Sequence, residues 1–205
     1  MHPGGQDSVT TRLTLISHAA TQAQRRAAFP LDEPLDQREI SKISALGWKA
    51  PEAQKVLSAP ERRTQQTAQA LGLTASTTPE LRDCDYGIWH GRELSQLQTQ
   101  DPEGVAAWLA DPAASPYRGE SIANLIDRVG GWLDQQREDG HTIAVTHPVV
   151  IRSAVVHILN APIQSFWRID IAPLSLTDLR FNGKVWTLRS CATTLSRAPA
   201  IGTAH

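Results

Sequence analysis

Three short apolar runs, each followed at once by polar residues, constrain this chain more than any other feature. Residues 12–17 (RLTLIS), 55–58 (KVLS) and 141–146 (HTIAVT) read as strands. The second leads through Ala59 and Pro60 into the helical stretch ERRTQQTAQAL. The third leads through His147 and Pro148 into VVIRSAVVHIL, a buried-helix pattern. Proline suits a helix start, because its missing N–H would be unpaired there anyway. Near the end, LSLTDLRF and KVWTLRS flank Asn182-Gly183, the best hairpin signal in the chain. Helical patterns also cover 104–110 and 122–136, separated by DPAASPYRGE. Strands alternating with helices predict a three-layer α/β/α fold on a largely parallel sheet, with an antiparallel pair at its C-terminal end.

A chain of 205 residues fits one domain. Residues 1–10 and 193–205 read as small, polar tails around a domain at 11–192. Acidic and basic residues nearly cancel, for a formal net charge of −1, so neither a nucleic-acid nor a membrane partner is expected. Any anion site must be local. The two cysteines, Cys84 and Cys191, form no CxxC, which argues against a disulfide or a cysteine-bound zinc. The start MHPGGQDSVTTR lacks the apolar core of a secretory signal, and no apolar run reaches transmembrane length. A cytoplasmic protein is the resulting expectation.

In a parallel sheet the ligand crevice opens beyond the carboxyl ends of the strands. There the sequence places Ser17-His18 after the first strand, Pro60, Arg62 and Arg63 after the second, and His147 after the third. Two imidazoles and a guanidinium or two at one sheet edge suit phosphoryl chemistry. A neutral imidazole is a competent nucleophile near neutral pH. A guanidinium fork matches phosphoryl oxygens bidentately and stabilises charge on the transferred group.

These residues also sit in segments that resemble a known family. LISHAAT is similar to the Arg-His-Gly motif that opens the histidine phosphatase superfamily, which includes cofactor-dependent phosphoglycerate mutases. SAPERRTQQTAQAL, LRDCDYGIWHG, GESIANLIDRV and IAVTHPVVIR resemble its later signatures, in the same order, across about residues 12–155. The resemblance implies a phosphoglycerate mutase-like fold and hydrolysis of a small phosphorylated metabolite through a phosphohistidine on His18. Arg63 and His147 would hold the phosphoryl oxygens, and Asp83 would act as proton donor. Thr21 and Gln24 would line the phosphate pocket, and neither metal nor cofactor would be needed. A homodimer is a family-level expectation. Two other readings stay open: a catalytically impaired protein that binds a phospho-ligand in a regulatory role, and a mutase-like phosphotransferase.

Several positions depart from the family pattern. Ser17 stands where the motif has its first arginine, which removes a charge-assisted contact of about 1.5–3 kcal/mol. Ala19 and Pro148 replace glycines, and Asp83 replaces a glutamate. Glu39 stands near a usual glycine. Arg62, Arg25 and Arg26 are candidates for the missing charge, and Arg152 follows His147 by about one helical turn. His90 replaces an acid or amide after Trp89 and is a candidate to touch substrate. Trp89 and Trp108 are placed to line a cap over the site. His2, His141, His157 and His205 read as tail, surface or packing residues.

Overall fold

The computed structural model describes residues 11–196. Its sheet has six strands: β1 (Thr11–Ser17), β2 (Lys55–Ser58), β3 (Ser76–Thr77), β4 (Gly140–Thr146), β5 (Ser175–Phe181) and β6 (Trp186–Thr194). Their order is β3-β2-β4-β1-β5-β6. The first four in that order run parallel, and β5 and β6 add an antiparallel edge. This is the mixed, largely parallel sheet that the alternating pattern predicts.

The helices are α1 (Gln22–Arg25), α2 (Gln37–Ala45), α3 (Arg62–Ala70), α4 (Leu94–Gln100), α5 (Pro102–Ala110), α6 (Ile122–Gln135) and α7 (Pro148–Ile158). Alternation along the strands decides what covers each face. Leu13, Leu15 and Ala144 pack with Leu125, Val129 and Leu133 of α6 and with Val150, Ile151 and Ala154 of α7. Ile16, Ile143 and Val145 point the other way, onto Ile43 of α2, Ala68 of α3 and Leu71. The result is three layers with a core on each side of the sheet.

At the C-terminal end the strand runs further than the sequence suggests. Thr193 and Thr194, read there as tail, belong to β6, and the Leu195 N–H donates to Leu174 O at 3.1 Å. Ser175 and Leu176 of β5 pair with Thr194 and Thr193, which carries the ladder past residue 192. The expected tails at 1–10 and 197–205 lie outside the described residues. No helix among the described residues is long and apolar enough to cross a membrane.

The register fixes the functional edge. Ser17 pairs with Thr146 and Ser58 with Val145, so β1, β2 and β4 end level with one another. The N–H groups of His18 and Ala59 extend these ladders, donating to Thr146 O and Val145 O at 2.9 Å. Whatever follows each strand is therefore delivered to one crevice.

Candidate active site

His18 is the first residue beyond β1, and only 3% of it is exposed. Its Nδ1 lies 2.7 Å from Ala19 O. A carbonyl oxygen only accepts, so Nδ1 carries the proton and Nε2 keeps the lone pair. Burial, with help from the nearby charges of His147 and Arg63, lowers the His18 pKa to about 3. The ring therefore stays neutral across the physiological range, as a nucleophile requires. Ala19 is not among the residues with left-handed backbone, so its Cβ brings no strain. Its N–H donates to Thr67 Oγ1 at 3.0 Å, which fixes the turn after His18.

Arg63 sits in the first turn of α3, 2% exposed. Nη1 donates to Leu31 O at 2.8 Å, and Nη2 donates to Asp83 Oδ2 at 2.6 Å. His147 is the N-cap residue of α7 with Pro148 at the first helical position, where a proline needs no backbone donor. The His18 and His147 rings meet edge-to-face, with centroids 5.2 Å apart. His147 Nδ1 lies 3.5 Å from Asp83 Oδ2.

Glu61 completes this cluster, and the sequence reading did not single it out. Its Oε2 is 2.7 Å from His147 Nε2, and its Oε1 accepts the Asp83 N–H at 3.0 Å. The carboxylate thus fixes the His147 ring and the backbone of the proposed acid together. An acidic residue at the start of a helix is ordinary, as Glu61 is at the N-cap of α3, so nothing local in the sequence marks it. Burial works to raise the pKa of Glu61, but its hydrogen bond to His147 and the charge there prevail and lower it. Burial likewise opposes ionisation of Asp83, and the charges of His147, Arg63 and His18 outweigh it, holding the carboxyl below its usual range.

The loop carrying Asp83 is braced by the GESIANLIDRV segment. Arg128 of α6 pairs with both carboxylate oxygens of Glu120 at 2.7 Å. It also donates to Glu80 O at 2.6 Å and Asp83 O at 3.3 Å. Gly87 has φ +45°, and a Cβ there would lie 2.0 Å from Tyr117 O, so this close crossing of two loops admits only glycine.

A cavity of about 150 Å³ opens at His18, Thr21, Gln24, Arg63 and Asp83, with Pro30, Tyr86, Pro148 and Val149 completing its wall. The His18 imidazole, the Arg63 guanidinium and the Asp83 carboxylate thus converge on one cavity at the carboxyl edge of a parallel sheet, and the fully buried His147 touches both His18 and Asp83. The model of the histidine phosphatase superfamily, branch 1, matches residues 13–194. The chain belongs to that family.

Several known proteins are similar to this chain. Phosphoserine phosphatase 1 of Hydrogenobacter thermophilus is 25% identical over 168 residues, covering 76% of this chain and 80% of that one. A bifunctional protein of Mycobacterium tuberculosis is 26% identical over 193 residues, and the chain spans 53% of its length. The crystal structure of the alpha-ribazole phosphatase from Shigella flexneri superposes with a TM-score of 0.76 at 26% identity, covering 91% of this chain and 97% of that one.

The structure brings His18, Arg63, Asp83 and His147 together, with Thr21 and Gln24 on the cavity wall. Thr21 and Gln24 hold each other: Thr21 Oγ1 accepts the Gln24 N–H and Gln24 Oε1 accepts the Thr21 N–H. Ser17 is fully buried at the strand end, and its Oγ has no partner among the described residues. Arg62 is exposed and lies outside the wall of the His18 cavity, with its N–H donating to Asp32 Oδ1. His90 is tied to Pro30 O at 2.7 Å, and its Nε2 lies 3.2 Å from Asp85 Oδ1, on a second opening beyond Arg63. Arg25 pairs with Asp36 and Glu39, and Arg26 reaches Glu93 at 3.9 Å. None of these arginines takes the place of the one missing at Ser17. Among the described residues no group of three or more His, Cys, Asp or Glu is arranged to hold a metal ion.

Proposed function

We propose that this chain hydrolyses phosphomonoesters of small metabolites through a phosphohistidine formed on Nε2 of His18. The observation that carries the reading is the state of His18: buried, neutral, with Nδ1–H committed to Ala19 O and its Nε2 lone pair uncommitted. Nε2 attacks phosphorus as the bond to the leaving oxygen breaks. The Asp83 carboxyl gives its proton to that oxygen. Water then attacks the phosphohistidine, Asp83 takes a proton from it, and phosphate leaves with His18 neutral again. Arg63 offers its fork to the phosphoryl oxygens, and His147 offers a donor from Nδ1 when that atom is protonated.

Substrate entry sets the proton inventory. In the free protein the Arg63 guanidinium is paired with Asp83. A dianionic phosphoryl group competes for that guanidinium and brings negative charge beside Asp83. Both changes favour the protonated carboxyl that the first step needs. The names of the relatives, phosphoserine phosphatase and alpha-ribazole phosphatase, support a hydrolase of small phosphorylated compounds.

A second reading, phospho-ligand binding without turnover, is favoured by one observation. The site holds a single arginine, already ion-paired, against the two carboxylates of Glu61 and Asp83. Release of phosphate from p-nitrophenyl phosphate decides between them. Turnover by the parent chain and none by His18→Ala supports hydrolysis. Binding of inorganic phosphate with no turnover of any compound in a phosphomonoester panel supports the second reading.

A further inference from the structure

Beside the His18 cavity lies a second one, of about 190 Å³, walled by aromatic rings. Pro30, Tyr86 and Val149 border both cavities, so the two meet at a shared wall. We propose that the second cavity receives the leaving group of the substrate, and that it selects an aromatic leaving group bearing a negative charge. This inference rests on the hydrolytic reading of the first cavity.

The aromatic half of the argument is one of shape and rigidity. Trp108 of α5 meets Trp167 edge-to-face with centroids 4.7 Å apart, and Phe29 meets Trp108 at 5.4 Å. Phe166 and Trp167, in the short 3-10 segment Ile163–Arg168, pack at 5.1 Å. Interlocked rings of this kind hold a fixed surface and offer edges and faces to a further ring. A cavity of roughly 150 Å³ suffices for a benzene ring, so this one admits a substituted ring.

The charged half rests on Arg152 of α7. Its Nε is buried without a hydrogen-bond partner among the described residues, as are the indole nitrogens of Trp108 and Trp167. The carboxylate nearest to its guanidinium, on Asp170, is 4.0 Å away and 98% exposed, and such a pair contributes little. The guanidinium otherwise lies 5.8 Å from the centroid of the Phe166 ring, and a cation held on an aromatic wall with no close carboxylate suits a carboxylate or a second phosphoryl group. The opening on the other side of Pro30 is different in kind. Its carboxylates are committed: Asp32 to the Arg62 N–H, Asp85 to the Gly87 N–H, and Glu61 to His147. On the aromatic side the unpartnered donors, Arg152 Nε and the indole nitrogens of Trp108 and Trp167, face no carboxylate of the cavity wall.

The test compares 4-carboxyphenyl phosphate, phenyl phosphate and glycerol 2-phosphate in the parent chain, Arg152→Gln and Trp167→Ala. Each compound is read as the ratio of parent to variant, which cancels its intrinsic reactivity. Arg152→Gln is expected to lower kcat/KM for the carboxylated compound about tenfold more than for phenyl phosphate. Trp167→Ala is expected to raise KM for both aryl compounds about tenfold more than for glycerol 2-phosphate. A direct titration with 4-hydroxybenzoate, which has no phosphoryl group, needs no turnover. Binding that Arg152→Gln weakens about tenfold supports the subsite even if no phosphomonoester is hydrolysed, and in that case the hydrolytic reading fails alone. Equal ratios across the three compounds together with no binding of 4-hydroxybenzoate overturn the subsite. So does a parent preference for a cationic aryl phosphate, 4-(aminomethyl)phenyl phosphate, over the carboxylated one.

Discussion

Glu61 Oε2 lies 2.7 Å from His147 Nε2, joining the start of α3 to the start of α7 across 86 residues of sequence. Glu61 is ionised, its pKa lowered despite its burial, so Nε2 is the donor in this contact. This leaves Nδ1, an atom without a hydrogen-bond partner among the described residues, as the ring nitrogen available to the proposed reaction. Only the doubly protonated ring can donate there, and the Glu61 carboxylate supplies the counter-charge for that form.

Glu61→Gln keeps the shape and one acceptor while removing the charge. The expected outcome is a loss of about tenfold to hundredfold in kcat, the range for a hydrogen bond to a charged group. The alkaline limb of the pH–rate profile should also move to lower pH. Steady-state profiles of parent and variant check this, and superimposable profiles would remove the role assigned to Glu61.

In the first step Asp83 is needed in proportion to how poorly the leaving group departs, and kcat/KM reads that step without the later attack of water. Asp83→Asn should lower kcat/KM for glycerol 2-phosphate by about 10²–10⁴-fold, the usual contribution of a general acid. For p-nitrophenyl phosphate, whose phenolate needs no proton, the loss should be far smaller. Because the charges around Asp83 hold its pKa low, kcat/KM of the parent on glycerol 2-phosphate should fall as pH rises from the acid side. Equal losses on both compounds would contradict this assignment.

Ser17→Arg returns a guanidinium to the strand end. The expected gain in kcat/KM for p-nitrophenyl phosphate is about tenfold to hundredfold, corresponding to roughly 1.5–3 kcal/mol of charge-assisted contact. Loss of activity in a variant that melts at the parent temperature would show instead that the pocket is built around the small side chain.

Burial of neutral His18 makes stability depend on pH. Its pKa is about 3 in the folded chain against an ordinary value of 6.5. Between these values the unfolded chain binds a proton that the folded chain refuses. The contribution is therefore fully present above pH 6.5 and is lost as pH falls toward 3. The slope from this one group reaches about 1.4 kcal/mol per pH unit. Urea unfolding at pH 4, 5, 6 and 7 should show a shallower pH dependence in His18→Asn. Parallel curves for the two proteins would contradict a buried neutral ring.

Much of this was legible in the sequence for simple reasons. Buried parallel strands read as apolar runs, and the residue after each run lands at the sheet edge by topology, which placed His18, Arg63 and His147. Adjacency along the chain carries no such guarantee. A helix turns about 100° per residue, so Arg63 enters the cavity wall while Arg62 faces solvent. His90 follows Trp89 in sequence, yet its ring nitrogens serve Pro30 O and the 85–86 turn, partners that no local pattern announces. Helix α2 escaped notice because its polar residues outnumber its apolar ones, and β3 is only two residues long. Glu61 gains its meaning from a partner on another strand–helix junction, which no local pattern encodes.

Rapid alkaline quench of the chain during turnover of p-nitrophenyl phosphate, followed by peptide mass spectrometry, tests the central claim most directly. The account predicts one phosphoryl group on His18, absent from His18→Ala, which should also fail to turn over. Phosphate on another residue, or undiminished hydrolysis by His18→Ala, would contradict it.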